Sequence, residues 1–485
     1  MKIIDLISEI PGDVNLIGDP EVEVTALCAD SRQVNQGSLF FCTPGLRVDA
    51  HTFAPEAVEK GAVALIVQRK LDIPVTQVIV EDVRLAQSYI ASRFYDFPWK
   101  KMRMVGITGT KGKTTTSFLV KSILEANGDK VGLIGTVCSM IGDETIPANL
   151  TTPDPIVTQS LLYRMVESGC TAVVMEVSAH ALAMHRLAGM VFDVAAFTNF
   201  SQDHLDFFGD MDTYFNAKLA FLTSHMAKNI VYNVDDERVS RASEFFTAPA
   251  LRTGIRESSD VYANEIEIGE SGCEFKLTWH KRFKERITLK LAGIFNVYNA
   301  LLASGICICL RIAPETIKRG LESVKAVPGR AELLDINRPY RVILDYAHSP
   351  DSLENILTAV RQTAKKRMIV LFGCGGNRDS GKRSMMGRIA GTLADYCILT
   401  SDNPRYENPM EILAQIEEGI HDTDCEYTVI ENRRDAIRYA LQMAKPGDVI
   451  ILAGKGHETY QDICGVKYPF DEKKVVSQLL DEMRN

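Results

Sequence analysis

The sequence predicts an α/β protein of three consecutive domains: a mixed α/β domain over residues 1–98, a parallel-sheet domain over 99–328 and a Rossmann-like α/β domain over 329–485. Three observations carry this expectation. A chain of 485 residues exceeds what one core ordinarily organises, and at roughly 150 residues per domain it divides into three. Short apolar runs alternate with helical patterns through the second and third blocks, the signature of parallel strands covered by helices. The polar "YDFPWKK" near 98 and the turn-forming "AVPGRAE" near 328 interrupt the pattern where the blocks meet.

In chain order, the first block offers strands at "SLFFCT", "AVALIV" and "QVIVED", mixed with helix-like stretches. The second offers "MVGIT", "VGLIG", "AVVMEVS", "VAAFTNF" and "NIVYNV", and the third "RVILDY", "RMIVLFG", "DYCILTS" and "DVIILAG". Ligands of open α/β sheets bind beyond the carboxyl ends of the strands, so the residues just after each strand are the candidates for chemistry. In the second block these are "GTKGKTTT", "MEVSAH" and "TNFSQDHLD"; in the third they are "DYAHSP", "GCGGNRD", "SDNPR" and "GKGHE". Alone, "TSDNPR" at 400–405 reads as a turn with Arg405 in water. Its neighbours on the same edge weaken that reading, because plain turns need no such density of Gly, His, acids and Arg.

Composition narrows the classes of function. The apolar fraction of 46% and charged fraction of 24% suit a soluble globular chain. A net charge of −9 without a basic block excludes an electrostatic grip on nucleic acid. Asp5 and Glu9 break the N-terminal apolar run and no 18-residue apolar span occurs, so neither a signal peptide nor membrane insertion is expected. Eleven cysteines without CxxC spacing, mostly within apolar runs such as "GICICL", read as reduced core residues of a cytoplasmic protein.

"VGITGTKGKTTT" follows a strand and opens the helix "TTTSFLVKSILEANG". This is phosphate-loop chemistry. Gly109, Thr110, Lys111 and Gly112 would bring backbone N–H groups to phosphate oxygens, with Thr115 just inside the helix. Lys113 would reach the terminal phosphates, and Thr114 would bind Mg2+. The strict motif places Gly where Ile107 stands, and Gly106 and Gly109 flank that position. A metal shell also needs a carboxylate, for which Glu176 at the end of "AVVMEV" is placed, with His204 of "SQDHLD" as a second ligand.

The ordered series "GTKGKTTT", "TTPDP", "MEVSAHAL", "TNFSQDHLDFFGDMDTYFNAKLAF", "GIFNVYNALLA", "PGRAE", "DYAHSPDS", "GCGGNRD", "SDNPR" and "GKGHE" resembles the Mur ligase family over nearly all 485 residues. Those are ATP-dependent amide-forming enzymes of peptidoglycan precursor synthesis. The resemblance implies that ATP phosphorylates the D-glutamate side-chain carboxylate of a UDP-N-acetylmuramoyl-dipeptide, and that the amine of an incoming amino acid attacks the acyl phosphate. It implies ATP and Mg2+ as cofactors and a monomeric enzyme whose domains close during turnover. Lys113, Glu176, His204 and Lys218 would be catalytic, with Thr114, Glu176, His204 and Lys218, the last as carbamyl-lysine, around the metal.

By the same resemblance, Asn296 and Asn299 of "NVYN", Arg330 of "PGRAE" and Asp345 of "DYAHSP" would hold ATP. Thr151, Thr152, Ser178 and Arg186 would contact the UDP-linked substrate, and Ser31, Leu46, Arg47 and Val48 would do so from the first domain. Leu150 and Met184 stand where some relatives carry Asn and Gln. Arg378, Asp402, Asn403, Pro404, Arg405, Gly454 and Glu458 would hold the amino acid. Members that add meso-diaminopimelate carry Asp-Asn-Pro-Arg, so this amino acid is expected, with Arg405 on its distal carboxylate and L-lysine as the alternative. A folate-type polyglutamate ligase would lack the first domain. A P-loop switch without ligase activity would leave "SDNPR" and "GKGHE" unexplained.

Overall fold

The computed structural model describes residues 1–45, 48–280 and 283–483, so that Leu46 and Arg47, two of the expected substrate contacts, lie outside the described residues. Three large sheets follow one another along the chain. In the first, the strands run Val14–Ile17, Thr76–Val80, Ala62–Val67, Ser38–Phe41 and Ala26–Cys28 across the sheet, and only the first of these pairs antiparallel. Asp82 caps the helix Val83–Phe94 by accepting from the N–H groups of Arg84 and Leu85. Val83, Ala86 and Ile90 recur at helical spacing on its inner face and meet Leu39, Phe41, Ile66 and Val78 of the sheet.

The second sheet has eleven strands. Its middle is parallel, with Arg103–Thr108 between Val194–Phe197 on one side and Ala172–Glu176 on the other, followed by Val131–Ile134. The residues after the two flanking strands, Glu176 among them, therefore converge on the phosphate loop. The expected parallel sheet is extended at both ends by antiparallel pairing: Cys138–Ile141 and Glu144–Pro147 at one edge, and at the other Val261–Ile268, itself parallel to Ala250–Gly254, followed by Cys273–Trp279 and Phe283–Leu289. Val261–Ile268 is buried at its start, where it pairs parallel, and alternates half-exposed further on, which suits the change, because an antiparallel strand needs only one covered face.

The third sheet runs Glu332–Leu333, Arg341–Asp345, Val449–Ala453, Met368–Phe372, Tyr396–Leu399 and Glu426–Val429, parallel except for the first. Met368, Val370 and Phe372 face one helix layer while Ile369 and Leu371 face the other, so near-continuous apolar runs are required. A hairpin, Tyr460–Ile463 with Val466–Pro469, follows the strand Val449–Ala453. All eleven cysteines are free and most are buried, with Cys464 exposed. Among the described residues, no helix is long and apolar enough to cross a membrane.

Candidate active site

The phosphate loop turns out of the strand Arg103–Thr108 into the helix Lys113–Ala126. Gly109 has φ +133° and Gly112 φ +82°, and a Cβ at either would stand 1.9 Å from Thr198 Oγ1 or 2.3 Å from Asn299 Oδ1. Only glycine fits both demands. The loop is tied to the neighbouring strand end, where Thr198 Oγ1 donates to Lys111 O at 2.6 Å and the Lys111 N–H donates to Asn199 Oδ1 at 3.0 Å. Lys113 Nζ donates to the carbonyls of Gly109 and Thr110 at 2.8 and 3.1 Å. Burial lowers the Lys113 ammonium to about 8.

Glu176, almost fully buried, accepts at Oε2 from Thr114 Oγ1 at 3.0 Å and from Thr136 Oγ1 at 2.9 Å, and at Oε1 from the Thr136 N–H at 3.0 Å. Thr114 in turn accepts from Arg330 Nη2 at 3.2 Å. One cleft of about 220 Å³ is lined by Thr110–Thr115, Glu176, His204 and Lys218. Lys218 is 2% exposed; its Nζ donates to Gly109 O at 2.8 Å and lies 4.6 Å from the centre of the Tyr214 ring. Burial, with Lys113 beside it, drives its ammonium far below the ordinary lysine range. His204 adopts φ +54° and sets its ring edge-to-face on His180 at 4.9 Å. Among the described residues, no group of three or more His, Cys, Asp or Glu could hold a metal ion. The donor set that is present, a hydroxyl and one carboxylate beside a phosphate loop, suits Mg2+, which takes few protein oxygens and relies on substrate phosphates.

A second cleft, of about 410 Å³, leads from the phosphate loop past Asn199, Phe295, Asn299, Arg330 and Asp345. Asp345 accepts from the Ala331 N–H at 2.7 Å, and its burial raises its carboxyl above the ordinary value. Asn296 does not line this cleft: its amide donates to Ala292 O and its carbonyl accepts from Asn299. The expected substrate residues gather behind Glu176. Thr152 Oγ1 donates to Glu176 O at 2.8 Å, Arg186 Nη1 to Thr152 O at 2.7 Å, and the Ser178 N–H to Thr152 Oγ1 at 3.0 Å, while Thr151 Oγ1 lies 3.1 Å from Thr136 Oγ1. Ser31 and the exposed Val48 line neither cleft, and the Ser31 carbonyl accepts from Lys60.

Lys111 joins the second sheet to the third, its Nζ donating to Ser349 Oγ at 2.9 Å with Asp203 Oδ2 at 3.5 Å. A third cleft, of about 480 Å³, opens beside this junction. Arg378, which follows the strand Met368–Phe372, shares it with Asp402, Asn403 and Arg405 after Tyr396–Leu399, and with Gly454 and Glu458 after Val449–Ala453. Arg405 is held by its neighbours and not left in open water. Arg405 Nη1 donates to Gly376 O at 2.7 Å, and the residue's backbone, at φ +51°, is clamped by the hairpin through Asp462 O and the Cys464 N–H. Tyr406, next to it, is 73% exposed. Pro404 does not line the cleft; its carbonyl stands where a Cβ on Gly376 would be, 1.9 Å away.

Four residues that the sequence reading passed over help to build the site: Thr136, Thr198 and Asn199 around the phosphate loop and Glu176, and Lys455 beneath the third cleft. Only Lys455 left a signal, as a lysine between two glycines at the end of a wholly buried strand.

Comparison with known proteins follows the same order along the chain. Models of the Mur ligase family, catalytic domain, of the Mur ligase middle domain and of the Mur ligase, glutamate ligase domain match residues 23–93, 107–307 and 329–456. The UDP-N-acetylmuramoyl-L-alanyl-D-glutamate–2,6-diaminopimelate ligase of Caldanaerobacter subterraneus is 46% identical, with 99% of each chain covered. The ligase of that name from Geobacillus thermodenitrificans is 44% identical, with both chains covered fully at 100%. A solved structure of a ligase with this name superposes at a TM-score of 0.71 and 28% identity, covering 100% of this chain and 99% of its own. Identity at this level over the full length, on the expected three-sheet architecture, places the chain in the Mur ligase family of ATP-dependent, peptide-forming ligases.

Proposed function

We propose that the protein joins meso-diaminopimelate to the D-glutamate side chain of UDP-N-acetylmuramoyl-L-alanyl-D-glutamate, in a cytoplasmic reaction driven by ATP. The observation that carries this reading is the third cleft, which Arg378 and Arg405 share with Asp402 and Glu458 from three strand ends. That pairing of opposite poles suits the distal carbon of diaminopimelate, which bears an ammonium and a carboxylate. The arginine fork is the part that lysine, lacking the carboxylate, would leave unsatisfied.

In this reading residues 1–98 and the cluster of Thr151, Thr152, Ser178 and Arg186 hold the UDP-dipeptide, residues 99–328 hold ATP, and residues 329–485 hold the amino acid. The adenosine end of ATP lies along Asn299, Arg330 and Asp345. Loop N–H groups and Lys113 hold the phosphates and offset the charge that builds on the transferred group, since phosphoryl transfer is mostly positioning and neutralisation. Mg2+, held by Thr114 and Glu176 with His204 and a carbamylated Lys218, would supply further neutralisation. The D-glutamate carboxylate takes the phosphoryl group and ADP is released from it. The diaminopimelate amine then adds to the acyl carbon, an amide forms, phosphate leaves with the C–O electron pair, and the amine gives up its proton. Lys111, reaching Ser349, draws the ATP and amino-acid domains together, which shortens the amine's path and keeps water from the acyl phosphate. Incubation with ATP, the UDP-dipeptide and either amino acid, followed by mass measurement of the product, tests the assignment; a lysine-sized adduct alone, or ATP hydrolysis that ignores both co-substrates, would refute it.

A further inference from the structure

We infer that Lys455 is a positioning residue for amino-acid recognition, which fixes the amide of Asn403 and reduces the pole formed by Asp402 and Glu458 to a single uncompensated negative charge. The inference rests on the proposed function and adds to it the charge for which the amino-acid cleft is built.

Lys455 is 0% exposed, unusual for a lysine unless it is paired. Its Nζ lies 3.2 Å from Asp402 Oδ1, 2.9 Å from Asn403 Oδ1 and 3.4 Å from Glu458 Oε2. Asn403 Oδ1 also accepts from the Asp462 N–H at 3.0 Å. With two donors aimed at one atom, that atom must be the oxygen, and the amide nitrogen is left to donate to Glu458 Oε2, as it does at 2.8 Å. Lys455 and the Asp462 N–H together settle which way Asn403 points, and Asn403 holds Glu458 in the cleft wall.

The surrounding charges close the account. Behind Asp402, Arg433 is fully buried, but Glu472 at 2.8 Å cancels its charge, and its guanidinium also holds the carbonyls of Ser401 and Ala453. Tyr346 OH lies 3.5 Å from Glu458 Oε1, and Tyr460, with Lys467 4.3 Å from its ring centre, lies beneath Lys455. His348 adds no charge near neutrality, since burial takes it down to about 4. Two carboxylates and one ammonium remain, with one negative charge free for a substrate ammonium. Elsewhere in the cleft Asp462 stands 3.7 Å from Arg405, and Arg378, which has no ion-pair partner among the described residues, is free to meet a carboxylate. Without Lys455 the pole would hold two adjacent buried carboxylates, and the cheapest relief is to protonate Glu458 and lose the ammonium's partner.

The test compares Lys455→Met with the double variant Asp402→Asn/Lys455→Met, in which the pole again carries one negative charge. Steady-state KM values for diaminopimelate, ATP and the UDP-dipeptide would be measured from pH 6 to 9 alongside melting curves. Lys455→Met should raise KM for diaminopimelate about tenfold, as befits the loss of one charge-assisted contact, and most steeply at low pH. KM for ATP and the UDP-dipeptide should hold, and the double variant should recover most of the loss. An unchanged KM for diaminopimelate, an equal loss for all three substrates, or a double variant no better than the single would overturn the inference. If Lys455→Met does not fold, the double variant decides alone: a KM near wild type supports the charge count and one raised about tenfold or more refutes it. Should the wild type use lysine instead, the diaminopimelate reading fails, yet the Lys455 inference is still read from KM for lysine, which shares the distal ammonium.

Discussion

The hydroxyl of Thr114 donates to the carboxylate of Glu176 across 3.0 Å, linking the first turn of the phosphate-loop helix to the end of the neighbouring parallel strand. Thr136 holds the same carboxylate from its other side through a hydroxyl and a backbone N–H. The acid is therefore oriented by the fold, and the metal role proposed for it would depend on its charge more than on its shape.

Glu176→Gln, which keeps the shape and removes the charge, should lower kcat by about 10²- to 10³-fold, the scale on which one preorganised electrostatic group acts. KM for diaminopimelate should stay within about twofold, and the Mg2+ concentration needed for half-maximal rate should rise. Initial rates over a Mg2+ series check both.

Lys218→Ala should lower kcat by at least about 10²-fold, and short carboxylates such as acetate should restore part of the rate. A carbamate forms when the neutral amine adds to CO2 and releases a proton, so it needs an amine that is neutral at working pH. Burial and the nearby Lys113 favour that form. A signal from labelled bicarbonate on the wild type, absent from the variant, is the direct measurement; full activity in the alanine variant would refute the modification.

What was legible in the sequence follows from what each feature depends on. The parallel middle of the second sheet and the buried third sheet announce themselves as apolar runs, and the strand-end rule then led to Glu176 and to the stretches "SDNPR" and "GKGHE", within which the family resemblance singled out Asn403, Arg405 and Glu458. Thr136 was not legible, because a threonine after Gly135 carries no pattern until Val131–Ile134 pairs beside Ala172–Glu176. Lys455 escaped for a similar reason: its burial depends on partners from two strand ends that are distant in sequence. The antiparallel strands at the edges of the second sheet have a shorter apolar signal, since their outer faces meet water.

Gly376→Ala should disturb the amino-acid cleft from outside it. The added Cβ would stand 1.9 Å from Pro404 O, so the loop after Met368–Phe372 and the one carrying Arg405 must part. Because Gly376 O is also the Arg405 acceptor, KM for diaminopimelate should rise several-fold, with about 1–3 kcal/mol of stability lost to overpacking. Thermal melts with steady-state kinetics check the pairing of the two effects.

KM for diaminopimelate should depend on pH through Glu458. Burial raises this carboxyl above its ordinary 4.5, the Asp402 charge acts in the same direction, and Lys455 opposes both. A raised carboxylate pKa means that protonation, and loss of the ammonium's partner, begins at a higher pH than for a free glutamate. KM should accordingly climb as pH falls toward the weakly acidic range, while Glu458→Gln should show a high KM with a flatter profile.

Arg405 should decide between the two amino acids. Its guanidinium is held by Gly376 O at 2.7 Å and by its clamped backbone, so its remaining N–H donors meet the cleft in a fixed geometry. A distal carboxylate can accept two parallel bonds there, whereas lysine would bury those donors with only Asp462, 3.7 Å from the guanidinium, as a counter-charge. Wild type should favour diaminopimelate over lysine in kcat/KM by about 10³-fold or more, a ratio open to sites built around a polar partner. Arg405→Ala should lose about 10²-fold with diaminopimelate and change little with lysine, narrowing the ratio from one side. Arg405→Lys should recover only part of the loss, because an ammonium offers a point charge in place of the planar fork. Competition between the two amino acids in one assay, read by product mass, measures the ratio directly; a wild type that prefers lysine, or an alanine variant that still discriminates, would assign the choice to another residue.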